Sequence, residues 1–306
     1  MNNLTDIVTP YGRWINITST QKPQIEWLKR HFEFHPDDLK ACGARAQRPY
    51  VQIYPHYSFI VLLFPLYNQE SKAIESAEID FFISQQEFIV VHDDQLTVIS
   101  ELFDHIKSRP DANRHLLVNP AYFFSILLHK LLNQCLRMID HISLDLSHIE
   151  DDIFDNQNQS TAKQLLNIRR NIVNMRRILH THKTLLNELV KSNAEYLYLT
   201  DNKPHFDNLI EQTKQIWDVL DIAQETIFSL HQTNESLINY QTSEVMRTLT
   251  MFSVIVFPLT LIAAIFSMKL QPLPFAENPY GFWIVLAGMF GLMLIMYLFF
   301  KKKRWL

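Results

Sequence analysis

The sequence predicts an α/β (α+β) cytosolic domain followed by long helices and a two-helix transmembrane hairpin. Three features carry this. Two charge-free apolar runs lie near the C-terminal end, a stretch without Gly or Pro covers the 53 residues between Pro204 and Pro258, and short strand-like runs are confined to the first third of the chain. Mean hydropathy near zero conceals the contrast, because a charge-rich first four fifths is averaged with a strongly apolar tail.

The first apolar run, Leu249 to Met268, reads LTMFSVIVFPLTLIAAIFSM. About twenty residues at roughly 1.5 Å each cross a hydrocarbon layer of ~30 Å. The second, Gly281 to Phe300, is equally free of charge, and the loop between them carries Pro272, Pro274 and Pro279. Two such runs joined by a short loop read as a membrane hairpin rather than as buried core helices. Lys301, Lys302, Lys303 and Arg304 then place the tail in the cytosol, since positive charge stays on that side. The N-terminal MNNLTDIVTPYGRW has no basic start and no apolar run of signal length. Both termini are expected to be cytosolic, in a multi-pass protein of the inner (plasma) membrane.

Upstream, Trp14 to Thr18 alternates like a strand, and YVQIY and SFIVLLFPLY form two β-rich runs split at Pro55 and His56. AEIDFFIS and EFIVVHD follow, with helical patterns around Gln24 to Phe34 and Leu96 to Lys107. Such a mixture implies a sheet covered by helices. After Pro120 apolar residues recur at three and four, predicting one helix from about Ala121 to Asp155 and another from about Thr161 to Lys191. Leu209, Ile216, Ala223 and Leu230 then recur every seven residues. That period predicts a coiled-coil-like stalk of about 80 Å with an apolar seam that neighbouring chains would cover. The expected division is a mixed domain over 1–115, a helical hairpin over 116–203, a stalk over 204–248, a first transmembrane helix over 249–268, an extracytoplasmic loop over 269–280, a second transmembrane helix over 281–300 and a basic tail over 301–306.

Several chemistries are disfavoured. A net charge of -4, with no long basic run before Lys301, offers no field for nucleic acid. Five scattered glycines make no phosphate loop, and no HExxH or nucleophile motif is present, so an enzyme is not expected and no cofactor is implied. Cys42 and Cys135 lie far apart, which suits a reducing compartment.

Two spans cannot enclose an aqueous path, so conduction would require a homo-oligomer embedded in the bilayer. The first span is the pore candidate. Ser243, Thr250, Ser253, Thr260 and Ser267 form one stripe of small hydroxyls, interrupted by Met246, Phe257 and Ala264, with Leu249 at the entry. The second span, with Trp283, Leu286, Met289, Phe290 and Leu294, shows no comparable polar line. Hydroxyls in apolar spans are often bonded back to their own helix, an alternative that stands beside the pore reading. Pro258 removes one backbone donor from the first span.

In the predicted hairpin, His141, Asp145, His148 and Asp152 fall at i, i+4, i+7 and i+11 on one helix face. A regulatory divalent-cation site, for magnesium or a similar ion, and a plain solvated acidic face are both open there. Asp207, Asp218 and Asp221 on the stalk are further candidates for cation binding between subunits.

The order of parts, together with SEVMRTLTMFSVIVFPLTLIAAIF, the PYG at Pro279 to Gly281, EIDFFISQQEFIVVHDD and the closing KKKRWL, resembles the CorA family of magnesium and divalent-metal transporters. The resemblance covers essentially the whole chain. It implies a funnel-shaped homopentamer lined by the first helices, transporting a metal cation of the magnesium, cobalt, nickel or zinc class, with a hydrophobic constriction at Met246 and Leu249. The family's Gly-Met-Asn signature reads Ser267, Met268, Lys269 here, and its inner-mouth asparagine is replaced by Ser243. Two charges ~10 Å apart repel by about 1.7 kcal/mol at an effective dielectric of ~20, and each lysine in a ring of five has four neighbours. Such a ring repels a dication unless Lys269 loses its proton or swings towards headgroups or Glu277. The resemblance therefore implies either a cation transporter or a divergent relative with altered selectivity, anion conduction or a regulatory role.

Overall fold

The computed structural model describes residues 4–44, 48–154, 158–192, 194–268 and 280–303. They divide into two compact units, Met1–His231 and Gln232–Leu306.

The first unit is built on a six-stranded sheet in the order β1-β2-β6-β5-β4-β3. Its strands are β1 (Leu4–Thr9), β2 (Gly12–Ile17), β3 (Tyr50–Ile53), β4 (Tyr57–Asn68), β5 (Ala73–Ser84) and β6 (Glu87–His92). All pairings are antiparallel except β2 with β6. Alternation along β4 to β6 is of apolar with apolar, because helices cover both faces. On one face α1 (Lys22–His31) and α2 (Pro36–Ala41) pack Leu28, Leu39 and Cys42 against Ile15, Val61, Phe82 and Val91. On the other, α3 (Thr97–Ser108) and α4 (Pro120–Phe154) close over Phe81 and Phe88. Edge-to-face contacts there join Phe123 to Trp14, Phe88 and Phe103, and Phe124 to Phe81.

Pro65 sits inside β4, where a proline would break a central ladder. β3 pairs only with Ser58 to Val61, so Pro65 faces Ser76 of β5 on one side and meets no β3 residue on the other. The missing donor is therefore harmless.

Three helices, one not foreseen from periodicity and two placed differently, belong to this unit. α2 is too short for a periodic signal and is set instead by Pro36 at its start and by the His35 ring, which accepts a hydrogen bond from the Asp37 amide. The stretch expected as one helix to Lys191 is two, α5 (Asn158–Leu179) and α6 (His182–Lys191). Asn171 and Asn174 of α5 bond the backbone of Ile74 at 3.0 and 2.9 Å, capping the entry to β5.

The long helix α7 runs from Leu199 to Ser267. It begins before Pro204, which had marked the expected start, because Tyr198 in a left-handed turn accepts bonds from the Asp201 and Asn202 amides. A proline in the opening turns costs little, since few helical donors there have partners to lose. The apolar seam is also corrected. Leu209, Ile216, Leu220, Ala223, Ile227 and Leu230 are buried within the chain's own first unit and need no neighbour to cover them. α7 is tied there by Gln212 to His129 and Asn133 of α4 and by Asp221 to Arg176 of α5, at 2.8 Å.

In the second unit, the end of α7 is followed by α8 (Gly281–Lys302). Both contain charge-poor windows with hydropathy of 2.4 and 2.3, and no residue of either window is buried in the single chain.

The covered seam has a measurable consequence. Leu220→Ala, at a site with no exposure, should lower the unfolding free energy by about 2–5 kcal/mol. Ile222→Ala, at a position that is 63% exposed, should change it by no more than about 0.5 kcal/mol. Denaturant unfolding of the purified chain followed by tryptophan fluorescence reads both; equal losses would mean that another chain covers Ile222.

Candidate functional site

At about 100° per residue on an α-helix, Ser243, Met246, Leu249, Thr250, Ser253, Phe257, Thr260, Ala264 and Ser267 fall within an arc of about 120°. α7 is helical throughout this segment, including Pro258, so the arc is a single face of one continuous element. The opposite face carries the bulkier Phe252, Ile255, Leu259 and Phe266. Met246, Leu249 and Phe257 are 57, 60 and 71% exposed in the single chain.

Three hydroxyls on this face are bonded back to their own helix, the alternative set beside the pore reading. Thr250 donates to the Met246 carbonyl at 2.7 Å, Ser253 to Leu249 at 2.9 Å, and Thr260 to Val256 and Phe257 at 3.1 and 2.8 Å. Each proton is spent on the helix. A hydroxyl has two lone pairs as well as its proton, so a hydroxyl that donates inward offers only acceptance outward. The resulting stripe presents oxygen lone pairs, which suit the water protons of a hydrated cation and oppose an anion. Pro258 has no backbone N–H to offer the Val254 carbonyl four residues earlier.

Met268 bonds back to Ile265 at 3.2 Å and ends the helix. Lys269 and Glu277 lie outside the described residues.

The acidic helix face is less assembled. His141, Asp145 and His148 are exposed on α4 and Asp152 is partly exposed. Among the described residues no group of three or more His, Cys, Asp or Glu side chains is placed to hold a metal ion. Asp221 is engaged with Arg176, while Asp207 and Asp218 stand exposed on α7.

Sequence reasoning missed a set of buried ionisable groups in the sheet. Asp80 on β5 is 1% exposed, and burial, reinforced by nearby Glu78 and opposed by a hydrogen bond with the Cys42 thiol, pushes its pKa up to about 8. Burial pushes the Cys42 thiol well above its usual range. His92 is held at about 4 by burial. Its Nδ1 accepts from the Asp94 amide at 3.0 Å, so Nε2 carries the proton towards Asn16 Oδ1 at 2.9 Å. The available signal was a lone Asp in the apolar run IDFFI, which had been read only as strand.

Comparison with known proteins matches residues 11–302 to the family model described as "CorA-like Mg2+ transporter protein". The cobalt/magnesium transport protein CorA of Thermotoga maritima is 26% identical over 296 residues, covering 96% of this chain and 83% of that protein. The cobalt/magnesium transport protein CorA of Methanocaldococcus jannaschii is 23% identical over 306 residues, covering 96% and 91%. The solved structure of the complete CorA magnesium transporter from that organism superposes with a TM-score of 0.84 at 21% identity, over 99% of this chain and 95% of that one.

The raised Asp80 pKa predicts a pH dependence of stability. The folded state holds this proton to about 8, whereas an unfolded carboxyl releases it near ~3.9. The folded protein therefore binds more protons between those values, and stability falls as pH rises through them, levelling above the folded pKa. His92 contributes the opposite slope only below ~6.5, as the unfolded imidazole charges first. Thermal unfolding between about pH 6.5 and 8 should thus show a declining midpoint in the native chain, and a higher, flatter one in Asp80→Asn. An unchanged slope would place the proton elsewhere.

Proposed function

Since the chain belongs to the CorA-like Mg2+ transporter family, we propose that it moves divalent cations along the hydroxyl-bearing face of α7, with Ser243, Met246, Leu249, Thr260 and Lys269 on the path. The observation that carries this reading is the inward donation by Thr250, Ser253 and Thr260, which leaves a line of acceptors on one face of an apolar helix. An acceptor line lowers the cost of a partly hydrated cation in a low-dielectric span, because first-shell water donates to it. Met246 and Leu249 supply the apolar constriction at its cytosolic end. The protein sits in the inner membrane with two spans, and its sheet domain is cytosolic.

A path of this kind requires several copies. One α7 and one α8 cannot surround water, and backbone in lipid is tolerated only when fully bonded or turned to a cavity. Five copies is the number that the family resemblance implies. A regulatory cation, magnesium or a similar ion, at His141, Asp145, His148 and Asp152 belongs to the same reading, with carboxylate and imidazole as its donors.

Lys269 favours a second reading, in which selectivity is altered or conduction is weak. A ring of ammonium groups at the outer mouth repels a dication, so the native chain would pass magnesium slowly, pass anions, or serve a regulatory role.

Purified protein in liposomes distinguishes these. Under the first reading, magnesium, cobalt, nickel or zinc enters down its gradient faster than into empty vesicles, and Thr260→Val lowers the rate by roughly tenfold, equivalent to about 1.4 kcal/mol. No flux for any of the four removes it. Under the second, Lys269→Asn creates or raises cation flux; equal flux in both proteins takes Lys269 off the axis.

Assembly is checked separately by native mass in mild detergent. A closed oligomer, with five copies expected, supports the path, and an intact monomer or dimer eliminates it.

A further inference from the structure

Three lysines close α8, and nothing on that helix answers their charge. Lys301, Lys302 and Lys303 are exposed, and the segment Gly281–Lys302 contains no Asp or Glu. Among the described residues none of the three is in an ion pair, and Glu244, before the first span, is already paired with Arg247 at 3.2 Å. The last turn of a helix favours positive charge, but its end carries only about half a unit of negative charge for three ammonium groups.

The rings of the same helix set the depth of these lysines. Trp283, near the outer end, is 65% exposed, which suits an aromatic anchor at a membrane surface. Lys301 follows it by eighteen residues, a rise of about 27 Å, close to the ~30 Å of the hydrocarbon layer. The lysines therefore stand at the level of the opposite headgroups. Helical side chains lean towards the N-terminus, so Lys301 shares a face with exposed Tyr297 and Lys303 with exposed Phe299, each four residues earlier. A lysine stem can lie in such apolar surroundings while its ammonium reaches the phosphates.

We propose that the last turn of α8 is a binding surface for anionic phospholipid headgroups in the cytosolic leaflet, with Lys301, Lys302 and Lys303 as its phosphate partners. A zwitterionic headgroup carries its own cation beside the phosphate and leaves little net charge for a lysine to meet. An anionic headgroup leaves a full charge. At about 100° per residue the three lysines spread over about 200° of the helix circumference, too wide for one headgroup. The surface is an arc that takes two or more lipids, each exchanging with the bilayer. A soluble polyanion would meet the same charges, but it has no counterpart to the rings that flank the lysines on the apolar side.

The full-length chain in phosphatidylcholine bilayers tests this, with traces of spin-labelled phosphatidylglycerol or phosphatidylcholine reporting the lipid held at the protein surface. Phosphatidylglycerol should be preferred about fivefold, the effect of roughly one surface lysine per bound lipid. The preference should shrink as sodium chloride rises from about 0.05 to about 0.5 M, since the Debye length shortens. That arm needs no variant. Lys301→Gln, Lys302→Gln and Lys303→Gln together should bring the preference below about twofold, while the three corresponding arginine substitutions keep it. Equal amounts of phosphatidylcholine held by all three proteins establish that the spans are intact. The proposal is overturned by no preference in the native chain, by a preference that survives the glutamine substitutions, or by one that is lost with arginine. Release of labelled phosphatidylglycerol by inorganic phosphate at constant ionic strength also overturns it, by assigning the lysines to a free anion. No ion flux enters the readout, so the lipid surface and the transport reading stand or fail separately.

Discussion

Hydrocarbon offers no hydrogen-bond partner, and α7 has to satisfy that constraint while serving two environments with one uninterrupted ladder. Its first half is held by side chains of α4 and α5, through Gln212, Asp221 and the buried Leu209 to Leu230 series. Its second half lies in the second unit. There the hydroxyls of Thr250, Ser253 and Thr260 turn inward because the preceding turn holds the nearest acceptors. The local solution to the membrane constraint is thus also what determines the polarity of the helix face. A serine or threonine whose proton is spent on the helix is an acceptor to whatever lies outside it.

This bears on what was legible in the sequence. The two spans were visible because length and lack of charge suffice to identify them, and the fold class because β4, β5 and β6 are apolar runs rich in β-branched and aromatic residues. α2 was not visible, since six residues give no periodicity and its cap is a histidine ring. β1 was missed for a related reason: its partly exposed LTDIVT lacks an apolar alternation, and an ion pair between Asp6 and Arg13 of β2 at 2.6 Å takes the place of one. The seven-residue period on α7 was correctly read as an apolar seam and wrongly assigned to neighbouring chains. Periodicity reports that a face is buried, and it carries no information about which helix covers it.

The candidate path was legible as a stripe but its sign was not. Whether a hydroxyl donates or accepts outward depends on backbone geometry that residue types do not specify. The outer mouth is a different case, because there the residue type is the whole argument. A lysine in place of asparagine changes charge as well as shape, and a ring multiplies the effect by the number of neighbours. Under the proposed path, an acceptor stripe and a lysine at the signature position would pull in opposite directions on a dication, which is why Lys269→Asn separates the two readings.

Asp80 shows why a single residue can be overlooked in a strand and still matter. In IDFFI it interrupts an apolar run without altering the period, so the strand forms regardless. Its cost appears only in three dimensions, as a carboxyl that is 1% exposed and whose Oδ1 has no hydrogen-bond partner among the described residues. Tyr57 and Asp38, in the same layer, illustrate the usual remedy: Asp38 receives both Tyr57 and Tyr54, and its oxygens are met.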